Sequence, residues 1–325
     1  MTAAGRVRVL QWAQEHGEVG GVLASHGQLT TSLRSEGHDV RYVDTGSAGR
    51  ALRALPYLRS RRSLHLFHIT RLRRAMVLAP VFALLPGRTV LVLHSGSTLG
   101  QVRDLGRGGA AVLRVALRAY DEIWAVNDEI GEVLPPGLRR RVRVVTPHVP
   151  APHDPGAPVA DRDAHAVVVA TNAGLEHYHA DLAVEAVRLV RSTWPDATLR
   201  ILAYGHDGGR LEALRRLVAS DPWVRLTFDS PPREVAQVLA SSAVFLRPTA
   251  WDGDSVIVRE ALAAGARVLA SDTSPRPTGV ELAALDAAAF AEALVAGGRP
   301  STGEGLSATT MLDATHDAMG PAAGR

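Results

Sequence analysis

The sequence predicts an α/β protein of two doubly wound domains, and three observations carry that prediction. Short β-rich apolar runs alternate with helix-patterned stretches along most of the chain, the pattern of parallel sheets with crossover helices. The alternation breaks at the Pro-rich stretch Pro147-His-Val-Pro-Ala-Pro-His-Asp-Pro155 and then resumes. The length of 325 residues suits about two domains at roughly 150 residues each.

In the first half, apolar runs place strands at Val7–Ala13, Asp39–Val43, Leu64–Ile69, Thr89–His94, Glu122–Val126 and Val142–Thr146. Helices fall between them, most clearly Val22–Glu36, with Gly37 as its C-terminal cap, and Gly108–Tyr120. In the second half, strands are expected at Ala166–Thr171, Thr198–Ala203, Val224–Phe228, Ala243–Arg247 and Arg267–Ser271. Helices are expected at Asp181–Ser192, Arg210–Ser220, Arg233–Ala240, Ser255–Ala264 and Ala287–Ala296. The expected division is a first domain over residues 1–150, a linker at 151–164, a second domain over 165–296 and a tail at 297–325. The tail holds one short helix, Ala308–Ala318. Two Rossmann-like domains facing across a cleft suit a two-substrate enzyme, because such sheets bind ligands at the carboxyl ends of their strands.

Composition narrows the function. Hydrophobic residues are 46% and charged residues 21%, as in an ordinary globular chain. The absence of cysteine excludes disulfides, thiolate metal sites and a cysteine nucleophile, and fits a reducing, cytoplasmic setting. The first residues lack the apolar core of a signal peptide, and Ala75–Pro86 is too short to span a bilayer. All 36 residues of the Lys plus Arg total are Arg. Residues 1–150 carry 21 Arg against 11 acids (+10), and the remainder carries 15 against 22 (−7). The basic half calls for an anionic partner, a phosphate group or a membrane surface. Arg50, Arg53, Arg59, Arg61, Arg62, Arg71, Arg73 and Arg74, interleaved with leucines, read as a solvated basic face. Peripheral contact with anionic lipid is the sharper expectation. Nucleic acid is not expected, since no recognised module is present and only 5% of residues are aromatic.

The segment richest in chemistry runs from Phe245 to Asp272 and contains Arg247-Pro-Thr-Ala-Trp-Asp-Gly-Asp-Ser255. A buried strand enters a loop, and the loop enters a helix that Asp254 or Ser255 can cap. Gly253 permits close approach of a ligand, and the N–H groups beyond it, of Asp254, Ser255 and Val256, form an anion site at a helix start. With a diphosphate at the helix end, Asp252 before the helix and Glu260 within it are expected to accept hydrogen bonds from sugar hydroxyls. Gly20 and Gly21, between a strand and a helix, read as a phosphate loop. Gly106-Arg-Gly-Gly109 has no strand before it and reads as a flexible turn. His177 and His179 lack a third ligand, so no metal site is assigned there.

The two acids eight apart, the Ala-rich helix, Gly265 and the following strand resemble the donor signature of the retaining glycosyltransferases of family 4, which have the GT-B fold. Asp252 stands where Glu is usual in that family. Gly20-Gly21-Val22, Leu64-His-Leu-Phe-His68, Val90-Leu-Val-Leu-His-Ser-Gly96 and Thr198–Gly209 resemble further family segments. The resemblance implies transfer of a sugar from a nucleoside-diphosphate sugar, with retention and without a metal or cofactor, to a polysaccharide, lipid-linked sugar or metabolite. It implies that Glu260 holds the donor ribose, Asp252 contacts the sugar and His94 lies near the reacting centre. It also implies an enzyme of polysaccharide biosynthesis, cytoplasmic or peripheral at the inner face of the cell membrane. The chain departs from the family where an Arg and a Lys usually clamp the diphosphate. Those positions fall at about Ala173 and Tyr178, leaving His177, His179, Arg247 and Arg276 as substitutes. A nucleotide-sugar epimerase and a non-catalytic binding or scaffold protein are the alternative readings.

Overall fold

The computed structural model describes residues 7–13, 21–45, 62–149, 162–173, 175–205 and 209–320. Gly20, Arg50, Arg53, Arg59 and Arg61 lie outside the described residues, as does most of the expected linker. The chain forms two compact units, one built around Val22–Pro150 and the other around Ala151–Glu304.

The first unit contains strands β1 (Arg8–Ala13), β2 (Asp39–Asp44), β3 (Ser63–Ile69), β4 (Arg88–Leu93), β5 (Glu122–Ala125) and β6 (Val142–Val144). Among the described residues they make a six-stranded sheet in the order β2-β1-β3-β4-β5-β6, parallel throughout. The inner strands β1, β3, β4 and β5 are buried almost end to end, as both faces of a parallel sheet require; β3 is buried at every residue. Helices α1 (Gly21–Ser35), α2 (Leu72–Leu84), α3 (Thr98–Arg103), α4 (Gly106–Leu117) and α5 (Asp128–Glu132) connect them. Gly37 ends α1 as expected: its φ of +87° lets Gly37 N–H donate to Arg34 and His38 N–H donate to Leu33.

Two expectations for this half are corrected. Gly106-Arg-Gly-Gly109 is the first turn of α4. A side chain at Gly109 would meet Leu105 Cβ at 2.8 Å, so the helix start needs this glycine for space. The chain end is not one tail. From Gly305 it belongs to the first unit, where its helix Met311–Met319 buries Met311, Ala314 and Ala318 in that unit's core. Met311 N–H donates to Thr146 O at 2.8 Å, and Arg143 pairs with Asp317 at 2.6 Å.

The second unit holds β7 (Asp163–Asn172), β8 (Thr198–Tyr204), β9 (Val224–Phe228), β10 (Ser242–Arg247), β11 (Arg267–Ser271), β12 (Val280–Ala283) and β13 (Arg299–Pro300). Its seven-stranded sheet has the order β13-β12-β11-β10-β7-β8-β9 among the described residues. All pairings are parallel except β12 with the edge strand β13. The strand expected at Ala166–Thr171 is longer, so residues 163 and 164, assigned to the linker, are already sheet. Helices are α6 (Ala180–Val190), α7 (Arg210–Leu217), α8 (Pro232–Ser241), α9 (Val256–Ala263) and α10 (Ala287–Ala296), and the chain-end helix becomes α11 (Met311–Met319). One core packs α6 and α10 through Val184, Val187, Phe290 and Leu294; a second packs α8 and α9 through Val238, Leu239, Val258 and Ala261. Each large apolar side chain removed from water contributes about 1.5–3 kcal/mol. The strand order reverses between β7 and β10, and ligands of such sheets gather at that switch point.

Candidate functional site

The loops leaving β7 and β10 both open at the switch point of the second unit. The β7 loop brings His177 and Tyr178. The β10 loop brings Asp252 and leads into α9. Backbone joins the two loops: Ala250 N–H donates to His177 O at 2.9 Å.

Asp252 is the centre of the arrangement. Its Oδ2 accepts from Arg247 Nε at 2.8 Å and from Arg276 Nη1 at 2.9 Å. Its Oδ1 accepts from Gly253 N–H at 3.0 Å, and its own N–H donates to Ser274 Oγ. Only 13% of the Asp252 side chain is exposed, so most of its hydrogen-bonding capacity serves the protein. Burial alone would raise its pKa, but the two guanidiniums outweigh burial and hold it down at about 2. Arg276 extends from the loop after β11 and is 2% exposed. It also donates to Thr249 Oγ1 at 2.8 Å and to Ser271 O.

Arg247 is 4% exposed. Burial opposes its charge, but Asp252 and the neighbouring tyrosines keep it protonated. Its guanidinium lies 4.7 Å above the Tyr178 ring, and Tyr204 donates to the Tyr178 hydroxyl at 3.0 Å. The Nη1 group of Arg247 is buried with no hydrogen-bond partner among the described residues. Two arginines around one aspartate leave a net positive charge with an unused donor.

The histidines offered as alternative cations fare differently. His177 stacks on Trp251, with centroids 3.6 Å apart. Burial, its largest influence, lowers its pKa to about 4, so it is neutral at neutral pH and does not replace a cationic clamp. His179 is the left-handed residue before α6.

The start of α9 differs from expectation in its capping. Ser255 occupies the N-cap position but its side chain makes no cap hydrogen bond. Asp254 is turned instead into a two-point pair with Arg259, Nε to Oδ1 at 2.7 Å and Nη2 to Oδ2 at 2.6 Å. Burial raises the Asp254 pKa and Arg259 acts against that rise. The helix start therefore offers N–H groups and its dipole without a side-chain acceptor. Glu260 is half-buried on α9. Gly265, at φ +77°, closes the helix as expected.

Gly21 opens α1, whose remaining residues belong to the first unit. His94 follows β4 and its Nε2 lies 2.8 Å from His68 Nδ1. The His26 ring is 5.5 Å from the His68 ring, and His68 Nε2 is buried without a partner among the described residues. Burial and the nearby His26 lower the His94 pKa to about 3, and burial lowers that of His26 to about 4. His68 is therefore linked to a candidate site residue, whereas His65 is structural: it accepts from Trp12 Nε1 and its Nε2 lies 3.0 Å from Pro86 O.

A surface feature of the same unit escaped the sequence pattern. On α2, Val77, Val81 and Leu84 are 75%, 45% and 85% exposed, and on the adjoining α4, Val112 and Val115 are 57% and 67% exposed. Exposed Arg73, Arg74, Arg107 and Arg114 lie on the same two helices, and exposed Arg118 caps the end of α4. No helix among the described residues is long and apolar enough to cross a membrane.

Residues 164–296 match the family described as Glycosyl transferases group 1. No curated protein matches the sequence. Solved structures are similar over nearly the whole chain. Anabaena HepE in complex with UDP and glucose is 13% identical, with a TM-score of 0.62 over 88% of each chain. Sucrose-phosphate synthase from Thermosynechococcus elongatus is 15% identical, with a TM-score of 0.63 over 89% of each. The catalytic domain of starch synthase IV from Arabidopsis thaliana, bound to ADP and acarbose, is 14% identical, with a TM-score of 0.62 over 90% of this chain and 91% of that one. The fold is GT-B. The matched family segment spans β7 to α10 and so includes Arg247, Asp252, Glu260 and Arg276.

Proposed function

We propose that the chain is a retaining hexosyltransferase-type glycosyltransferase that takes its sugar from a nucleoside-diphosphate donor. The observation that carries this reading is the Arg247–Asp252–Arg276 cluster at the switch point of the unit that matches group 1 glycosyl transferases. Breaking the bond between the sugar and the diphosphate sends its electron pair onto the diphosphate. The acceptor oxygen then bonds the same face of the sugar carbon, and its proton leaves with the departing group. That charge needs preorganised positive groups. Arg247, with its unused Nη1, and Arg276 supply them in place of the Arg and Lys that Ala173 and Tyr178 lack. The uncapped start of α9 adds N–H groups. In this reading no metal or cofactor is required at the donor site.

Glu260 accepts the donor ribose hydroxyls, and Gly253, Asp254, Ser255 and Val256 line the phosphates and sugar. Asp252 acts chiefly by holding the two arginines, and its remaining capacity faces the sugar. His94, kept neutral by its surroundings, has a ring nitrogen suited to an acceptor hydroxyl, and the resemblance assigns Gly20 and Gly21 to the donor phosphate. The similar structures that hold UDP with glucose, or ADP with acarbose, support a nucleotide-sugar donor and a carbohydrate acceptor.

The acceptor is proposed to be carbohydrate or lipid-linked, met at an anionic membrane surface from the cytoplasmic side. The exposed valines and leucine of α2 and α4 would enter the headgroup region while the flanking arginines meet lipid phosphates.

The test is hydrolysis or transfer from a purified nucleotide sugar, with the first-formed anomer read by proton NMR. Retention predicts the anomer of the donor. The opposite anomer would overturn the stereochemistry, and binding without turnover would favour a non-catalytic relative.

A further inference from the structure

Glu36, His38 and His316 bring one carboxylate oxygen and two imidazole nitrogens to within 4.8 Å of one another. His316 Nε2 is 2.6 Å from Glu36 Oε2, and His38 Nε2 is 3.7 Å from the same oxygen. The two rings lie 5.9 Å apart, centroid to centroid. We propose that these three residues bind a late first-row divalent cation, Zn2+ being the expected occupant, and that the ion fastens α11 to the end of α1.

The local structure explains how the donors converge. The turn that ends α1 passes through Gly37 at φ +87°, so Glu36 and His38 project from a tight reversal rather than along one helix face. His316 comes from the last turn of α11, 280 residues away in sequence. The start of α11 is fixed by a reciprocal cap, in which Asp313 N–H donates to Thr310 Oγ1 and Thr310 N–H donates to the Asp313 carboxylate. Met311 and Ala314 anchor the opposite face of the helix in the core. The position of His316 is thus set by packing that does not depend on the ion.

The chemistry selects the ion. Two imidazoles and a carboxylate suit Zn2+, Ni2+ or Cu2+, whereas Mg2+ and Ca2+ prefer all-oxygen sets. Bonds of about 2.0–2.1 Å in a tetrahedral site put donor atoms roughly 3.3 Å apart. The separations of 2.6 and 3.7 Å to Glu36 Oε2 bracket that value. Glu36 and His316 are exposed, so small side-chain movements suffice and a fourth position stays open to water. His38 Nε2, at 3.7 Å, is too far from Glu36 Oε2 for a hydrogen bond; an ion between the three groups would take the lone pairs of both nitrogens. Beside the cluster, His148 Nε2 lies 2.8 Å from Ser32 Oγ. It sits within electrostatic reach of Glu36, Asp313 and His316.

The experiment titrates ZnCl2 into the full chain, free of any histidine tag, by calorimetry, and follows amide exchange of residues 311–319 with and without the ion. The parent is expected to bind a single Zn2+ per chain and to exchange α11 more slowly when loaded. Loss of a partner one shell out already lowers metal affinity about 10-fold or more. His38→Ala with His316→Ala should lose at least that, and His316→Asn, which keeps a hydrogen-bonding side chain, should lose a similar factor. Glu36 and His316 are exposed and His38 is half-buried, so the variants should melt close to the parent without metal. Equal Zn2+ affinity in parent and variants would overturn the site. Unchanged exchange of α11 on loading would overturn its role as a fastening.

Discussion

The guanidinium of Arg247 lies 4.7 Å above the ring of Tyr178. Tyr178 falls at about the position where the resembled family places one of its two clamping cations, and Arg247 brings a cation to that ring from a different strand. Asp252 holds both Arg247 and Arg276, and in the proposed reading their charge stands in for the cations that the β7 loop lacks.

Arg247→Gln should lower the rate of diphosphate release by about 10²–10³-fold, the usual effect of removing one transition-state donor. It should also destabilise the fold by about 3–5 kcal/mol, because Asp252 loses a buried partner. Arg247→Lys keeps the charge and should recover part of the rate. Steady-state kinetics beside thermal melts separate the two effects. Equal rates in the parent and Arg247→Gln would remove Arg247 from the site.

Glu260→Ala should weaken nucleoside-diphosphate binding by about 10–100-fold, the worth of a charged hydrogen bond, while the chain still folds, since Glu260 is half-buried on α9 and not in the core. Calorimetric titration with each diphosphate reads the effect. Unchanged affinity for every nucleotide would contradict its assignment to the ribose.

Stability should fall as pH drops below about 6.5, the ordinary histidine value. His26 and His94 are held neutral down to about 4 and about 3. Between those values and 6.5 the unfolded chain binds more protons than the folded one. Each histidine then removes about 1.4 kcal/mol per pH unit, and its full contribution is present above 6.5. Melting temperatures from pH 7.5 to 5 test this, and His26→Asn should flatten the slope. A profile flat in the parent would contradict it.

Val77→Glu with Leu84→Glu should reduce sedimentation with anionic vesicles and leave stability unchanged, since both side chains are already in water. Each arginine near the surface adds about 1 kcal/mol, so raised salt should weaken binding as well. Sedimentation of the double variant equal to that of the parent would exclude this face as the contact.

Strand positions were legible because buried parallel strands need runs of β-branched and aliphatic residues; β11 lies where its run predicts. The end of α9 was legible from Gly265, which takes a positive φ. The short strand β12 follows a Pro-containing loop and is too brief to stand out. The first turn of α4 was hidden by three glycines, which weaken helix propensity although tertiary packing holds the helix. In the candidate site, the sequence singles out Asp252 and Glu260 as candidates through the resemblance of the long segment that holds them. It does not show their surroundings. Arg276 reaches Asp252 across 24 residues of sequence, and no local pattern encodes such a pairing. The docking of α11 is longer in range still; its sequence shows a short helix but not the core that receives it.

The most direct test of the donor-site assignment is a thermal-shift and hydrolysis screen of the full chain with UDP-, GDP- and dTDP-sugars, each beside its free diphosphate. The account predicts a selective shift with one base, accompanied by slow release of that diphosphate. No shift with any nucleotide would contradict it, leaving the Arg247–Asp252–Arg276 cluster a feature of the fold alone.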